Sequence, residues 1–552
     1  MIEILSLILS LIFVTLSMLG YGLIINKSNK KHDLFFILLV GYFFFGFSSL
    51  ILHFFIPITN LISMFFLMFG IIFLIKKIKE INNFKIIKKL TIFSIVCLVL
   101  LMFAEHPIDS NMYHHSYVSY LKTEKIIFGV AEIQFRFGHI SFLQYVQAII
   151  SNNFLHELVI AGPNLILLTF FIFFCSDIIL KNYRKRILFV ITILISSFIL
   201  IKLSRYREYG NDLIPFILAS YLLINVIKSS FYNRADKNKV INLLPTYSVL
   251  IFAHKISYLF SALVGLVLIE KKDDIIKIFK SKSLLIIFLI FSSSWIAKNI
   301  VTTSCLAYPL VISCIENTSW YLSGIADPKK AAWLTELWAK DFITNENWKK
   351  LNLDHYINSF EWVPNWLNNH FIKILEKMLP IFVVCTIILL FFFFQKNKLK
   401  EIQNSQNNKK LIMLISLTLV GVIIWFLNAP IFRYGSFYLV SLISILFIFI
   451  NQKSIYMVKI NKFKKLKIIF LISIIFFISK NIERQIRSKS SLFPTTSYKM
   501  NNYQKIKNSQ LVILKPKNNT IGVCYLSPLI CSHEVNKSIK FEKKQNYFFL
   551  KR

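Results

Sequence analysis

The chain has 552 residues, of which 56% are hydrophobic and only 16% charged, and Phe alone occurs 55 times. Soluble domains carry about 25% charged residues, and a water-soluble fold could not hide this much apolar surface, so an ordinary cytosolic protein is excluded. A formal net charge of +37 would point a soluble protein toward nucleic acid. Here Lys is gathered into short connections between apolar runs, the pattern that orients a membrane protein, so lipid is the solvent and no nucleic-acid partner is expected.

In chain order, apolar runs fall at 4–25, 35–55, 58–75, 90–103, 159–180, 187–202, 213–227, 241–253, 257–269, 284–300, 377–394, 411–427, 435–450 and 467–479. They predict an all-α polytopic membrane protein with about 14 transmembrane helices, the shortest runs falling below the roughly 20 residues that a span needs. The first run is too long for the apolar part of a signal peptide and reads as a span. Alternate connections are basic: Lys27/Lys30/Lys31, Lys76 to Lys89, Lys181 to Arg186, Lys228 to Lys239, Lys271 to Lys282, Lys396 to Lys410, and Lys453 to Lys467. These are expected on the cytoplasmic side of a bacterial inner membrane, with the working face periplasmic or extracellular. An AT-rich coding bias also raises Lys, Asn, Ile and Phe, so the distribution of Lys, rather than its number, carries this argument.

The expected organisation is N-terminal transmembrane helices over 1–103, a first long outer loop over 104–158 and a central bundle over 159–300. A second long outer loop follows over 301–375, then C-terminal spans over 376–480 and a small extramembrane domain over 481–552. In the tail, Leu511 to Leu514 and Ile521 to Tyr525 are strand-like. Arg484, Arg487 and Lys489 argue for a cytoplasmic tail, whereas Cys524 and Cys531 suit a disulfide if it lies outside, the placement favoured here. Cys97, Cys175 and Cys385 fall in apolar runs and read as small hydrophobes.

The chemistry-bearing residues concentrate in the outer connections. The first long loop opens Glu105-His106-Pro107-Ile108-Asp109-Ser110-Asn111-Met112-Tyr113-His114-His115. A carboxylate where a helix leaves the bilayer can stay charged beside a lipid-borne substrate. If the segment after Pro107 is helical, Asp109 and Tyr113 lie one turn apart, with His106 near the helix start. That would suit a base with orienting partners, although Asp109 equally suits an N-cap. His114 and His115 are metal-capable, but adjacent His point to different helix faces, so no metal site is assigned, with room left for a divalent ion. Arg136, Arg205, Arg207, Lys255, Lys298 and Arg433 are expected at or near outer helix ends, where cations either hold a phosphate or snorkel to headgroups. His254 adjoins Lys255, and Glu208 and Asp212 are further polar candidates. The second loop carries Trp320, Trp333, Trp338, Trp348, Trp362 and Trp366, expected mainly as an interfacial belt, and an amphipathic helix from Lys329 to Lys340 with Ala332, Leu334, Leu337 and Trp338 on one side.

Asp109 to His114, then Ile126 to Ile133, then Arg136-Phe137-Gly138-His139-Ile140-Ser141 resemble a family of poorly characterised bacterial polytopic proteins. His254 to Ser257, Lys298-Asn299 with Tyr308-Pro309, and Ala429-Pro430 with Arg433-Tyr434-Gly435 extend the likeness over most of the chain. Ser110, Glu132 and Lys298 depart from that pattern. The family is similar in turn to GT-C membrane glycosyltransferases. The resemblance implies a polyprenyl-phosphate-linked sugar donor, a cell-envelope glycan or protein acceptor, and inverting transfer. It implies Asp109 as the catalytic carboxylate, and Tyr113 and His114 beside it are the other catalytic candidates. Substrate binding would fall to His106, Arg136, His139, Arg205, Arg207, His254, Lys255, Lys298 and Arg433. Two alternatives stay open: an O-antigen-type polymerase or ligase, and a lipid-linked saccharide transporter or flippase, which would carry mid-helix charges and an internal repeat.

Overall fold

The computed structural model of the protein describes residues 2–26, 33–77, 83–101, 110–202, 211–324, 326–341, 353–394, 405–487, 503–508, 511–517, 524, 527–535 and 539–551. It is 78% helical. Helices α1 (Ile2–Ile25), α2 (Leu34–His53), α3 (Asn60–Lys77) and α4 (Asn83–Leu101) lead into an outer segment holding the short α5 (His115–Thr123) and α6 (Phe142–Ile150). The central bundle is α7 (Gly162–Lys181), α8 (Arg186–Lys202), α9 (Leu213–Phe231), α10 (Arg234–His254), a 3-10 run over Ile256–Leu268, α11 (Lys272–Lys280) and α12 (Lys282–Thr303). Short helices α13 (Pro328–Ala339), α14 (Leu353–Asn358) and α15 (Trp362–Trp366) precede α16 (Ile372–Phe394), α17 (Ser405–Asn428) and α18 (Phe432–Ile450). The helical part ends with α19 (Gln452–Met457), α20 (Ile460–Phe463) and α21 (Lys467–Arg487).

Every predicted apolar run lies on one of these helices, and nine stretches among the described residues are long and apolar enough to cross a membrane. The other five runs fall short for visible reasons. The 3-10 run has 13 residues and α8 has 17, while charges interrupt α4, α10 and α21. A 3-10 helix rises about 2 Å per residue against 1.5 Å for an α-helix, so the 13-residue run reaches further than its length suggests. Helices α7, α8 and α9 form the buried centre, whereas α3, α12, α16 and α17 present most of their surface outward. On the N-terminal side, α1 and α3 meet backbone to backbone: a methyl group on Gly20 would land on the Gly70 carbonyl. Such close approach is how apolar helices gain contact where lipid competes equally for side chains.

Contacts sort the connections to two ends. At one, Lys237 and Lys277 hold the buried Asp274, Glu270 pairs with Lys410 and Lys237, and Lys89 and Lys181 share Asp177. This is the basic end. At the other, the 110–161 segment meets the ends of α9, α10 and α12, and Asp212 before α9 faces Arg433 of α18.

The tail docks on that second end. Strands β1 (Tyr503–Asn508) and β2 (Leu511–Pro516) pair antiparallel, as do β3 (Lys540–Lys544) and β4 (Tyr547–Lys551). Gln545 and Asn546 take φ of 47° and 67° in the two-residue β3–β4 turn, the left-handed geometry that such hairpins require. Phe128 adds to the hairpin, its N–H donating to Phe548 O at 2.9 Å and its carbonyl accepting from Leu550 N at 3.0 Å. Ser116 bonds both backbone groups of Cys531, and Ser532 Oγ donates to Ile133 O. The tail therefore shares a face with the first long loop. The predicted strand at Leu511–Leu514 lies within β2, while the one at Ile521–Tyr525 falls outside the described residues except for Cys524. Disulfides join Cys524 to Cys531 and Cys305 to Cys314, both at this end.

Candidate functional site

Ser110–His114 is wound as a π-helical turn running into α5, a feature common at functional positions. Across from it, α6 begins with a capping box: Ser141 Oγ accepts from Leu143 N at 3.1 Å, and Gln144 Oε1 accepts from Ser141 N at 3.2 Å. Gln144 Nε2 then reaches His114 Nδ1 at 3.0 Å and Asn211 Oδ1 at 3.1 Å. One side chain thus joins the first outer loop to the start of α9.

Asn211 leads to Asp212, whose Oδ1 accepts from Lys255 Nζ and whose Oδ2 lies 4.0 Å from Arg433 Nη1. Lys255 Nζ also lies 3.9 Å from the centre of the Tyr434 ring, and Arg433 Nη2 donates to Tyr434 Oη at 3.1 Å. Of the predicted cations, Lys255 and Arg433 are brought together from α10 and α18. Arg433 retains 30% side-chain exposure.

A second group adjoins the first through the neighbouring Tyr113 and His114 rings, whose centres are 4.1 Å apart. Arg136 lies over Tyr113 at 5.8 Å and over Phe135 at 4.4 Å, and its Nη1 bonds Glu534 of the tail at 2.9 Å. His139 stacks edge-on against Tyr308 at 5.0 Å, and its buried Nε2 has no hydrogen-bond partner among the described residues. Burial, reinforced by the charges of Arg136 and Lys298, pushes the His139 imidazole down to about 4, so it is neutral near pH 7. Lys298 is fully buried in α12, donating to Asn299 Oδ1 at 3.1 Å over the Trp295 ring. It belongs with His139 rather than with Asp212.

His254 is a buried core residue. Its Nε2 meets Tyr42 Oη at 3.1 Å and its Nδ1 meets Ser141 Oγ at 3.4 Å, tying α2, α6 and α10 together. His106, Asp109, Arg205, Arg207 and Glu208 lie outside the described residues. Trp362 and Trp366 depart from the expected belt: both are buried, and Trp366 Nε1 donates to Pro430 O at 2.9 Å. Trp338 is 72% exposed, and Trp348 is outside the described residues. The amphipathic helix forms as α13, but Leu337 is buried while Leu334 and Trp338 face out, so its expected apolar side is divided. Among the described residues no three of His, Cys, Asp and Glu are grouped to hold a metal ion.

Sequence reading missed Gln144, Asn211, Tyr42 and Glu534. Ser141-x-x-Gln144 carries a readable capping-box signature, but its second role shows only when 114 and 211 are brought to it.

The architecture is that of a polytopic helical membrane protein with a polar network across one end of the bundle. Residues 4–440 match the family model described as Domain of unknown function (DUF8201), and the chain belongs to that family. No curated protein and no solved structure matches the chain.

Proposed function

We propose that the protein is a GT-C-like membrane glycosyltransferase. It transfers a sugar from a polyprenyl-phosphate donor to an envelope acceptor at the end of the bundle opposite the basic connections. Nine stretches among the described residues long and apolar enough to cross a membrane, the basic connections gathered at one end and two disulfides at the opposite end support a periplasmic or extracellular site, since basic loops favour the cytoplasmic side and disulfides persist in oxidising compartments.

The observation that carries the reading is the polar chain Glu534–Arg136–Tyr113–His114–Gln144–Asn211–Asp212, closed by Lys255 and Arg433. It places cations beside the loop that holds Asp109 in sequence. In the reaction, the acceptor hydroxyl oxygen bonds the anomeric carbon and its proton passes to the Asp109 carboxylate. The bond from that carbon to the phosphate oxygen breaks, its electron pair leaving on the phosphate, and Lys255 and Arg433 balance the departing charge.

The test is sugar transfer by the purified protein from defined polyprenyl-phosphate donors. Loss of a general base costs about 100- to 10,000-fold, so Asp109→Asn and Asp109→Ala are expected to fall by that order. Full retention by both rejects the assigned base. Reconstituted vesicles that move substrate without forming a glycosidic product would make the protein a transporter instead.

A further inference from the structure

We infer that the loop closed by Cys305 and Cys314 is a membrane-dipping element, its apolar tip seated among the acyl chains of the leaflet at the network end of the bundle. This goes beyond the glycosyl-transfer reading and stands without it.

From Asn299 to Ile315 the chain holds no Asp, Glu, Lys, Arg or His. It turns back at the end of α12, where Ser304 takes a left-handed φ of 61° and the disulfide ties Cys305 to Cys314. Tyr308 holds the loop from inside: its ring packs over Gly138 and against His139, and its Oη donates to Ala326 O at 2.8 Å. The large aliphatic side chains turn the other way. Leu306, Leu310, Val311, Ile312 and Ile315 are all exposed, Ile312 to 91%. A single exposed apolar residue is ordinary, but a contiguous group of this kind in a charge-free loop calls for an apolar partner.

Lipid is that partner for three reasons. The outward face of α12 carries Ile286, Leu289, Ile290 and Ile296 at helical spacing, and the partly exposed Ile300 and Val301 continue this lipid-facing stripe to the loop. Next, the backbone N–H groups of Leu306, Ala307, Leu310, Ser313, Cys314 and Ile315 are bonded within residues 304–315, so they enter an apolar medium without losing a partner. Finally, α13 runs beside the 311–313 turn and turns Lys330, Leu334 and Trp338 outward, four residues apart along one face. A cation able to snorkel, an aliphatic chain and an interfacial Trp suit a helix lying at headgroup level. Glu316 and Asn317, exposed directly after the loop, return the chain to water. Because Tyr308 is both the inner side of the loop and the neighbour of His139, the dip sets the 135–139 segment at the depth of the headgroups.

The test places photoreactive benzoylphenylalanine at residue 312, 290 or 317 of the full-length protein in phospholipid nanodiscs, irradiates each, and measures lipid adducts by mass spectrometry. All three positions are exposed, so the probe displaces no packed side chain. Position 290 lies within the lipid-facing stripe of α12 and gives the reference yield. Adducts on acyl chains are expected at 312 with a yield near that at 290 and about tenfold above that at 317, the order that burial of one large apolar side chain supplies. Irradiation in native membranes is expected to give the same lipid adducts at 312. A reference yield at 290 with none at 312, or equal yields at 312 and 317, overturns the dip. Cross-linking of position 312 in native membranes mainly to a second copy of the chain, or to another protein, overturns it too and makes the loop a protein interface.

Discussion

Lys298 and His139 show two ways of burying a basic side chain. The Lys298 amine is held by one amide oxygen and one indole face, with no carboxylate among its described partners. An ion buried without a charge partner carries a desolvation penalty of several kcal/mol, which an apolar side chain of similar volume does not. Lys298→Met is therefore expected to hold or raise the melting temperature in detergent while lowering sugar transfer, if the amine serves the donor phosphate. A large fall in melting temperature would make Lys298 a structural tie of α12 instead. His139 titrates in the opposite sense to a paired histidine. Its pKa is lowered from 6.5 to about 4, so below about pH 6.5 the unfolded chain takes up a proton that the folded one refuses. Stability is full above that pH and declines as pH falls toward 4. Melting curves across this window should lose part of their pH dependence in His139→Gln, and an unchanged slope would place the titrating group elsewhere.

The tail is held to the outer segment by bonds grouped around one disulfide. Between Cys524 and Cys531 the chain closes on itself, and residues 531–534 then contact Ser116, Ile133 and Arg136. Cross-linking limits the unfolded alternatives of such a short piece. The Cys524→Ser, Cys531→Ser double variant should be cut faster within 524–535 by limited proteolysis, with the apolar bundle melting as before. Equal cutting rates would show that the hairpin with Phe128 suffices. These contacts also mark what the sequence could disclose about elements. Apolar runs place the helices because lipid imposes a composition as well as a length. They do not reveal that Phe128 extends a hairpin built from residues 540–551, since a single residue added to a sheet leaves no periodicity. The buried Trp362 and Trp366 carry the signature of belt residues for a similar reason: an aromatic near a helix end has the same local sequence pattern whether lipid or Phe426 covers it.

For the whole molecule, the separation of charge between the two ends was legible in sequence, because Lys and Arg report orientation directly. The meeting of Asp212, Lys255 and Arg433 was only half legible. Their types and helix-end positions could be read, but which of several cations would share one carboxylate depends on how α9, α10 and α18 pack. Orientation is the claim on which the location of any reaction rests, and two exposed positions test it. Phe154 is 74% exposed in the connection before α7, at the end that carries the network, and Lys280 is exposed at the end of α11 on the basic side. Among the described side chains the free cysteines Cys175 and Cys385 are buried and give little background, and Cys97→Ser removes the remaining thiol outside the two disulfides. In intact cells made permeable only at the outer envelope, Phe154→Cys should react with a membrane-impermeant maleimide. Lys280→Cys should react only after the inner membrane is opened. The reverse pattern would put the polar network in the cytosol, where thiols are kept reduced and where both disulfides and a periplasmic transfer reaction would be out of place.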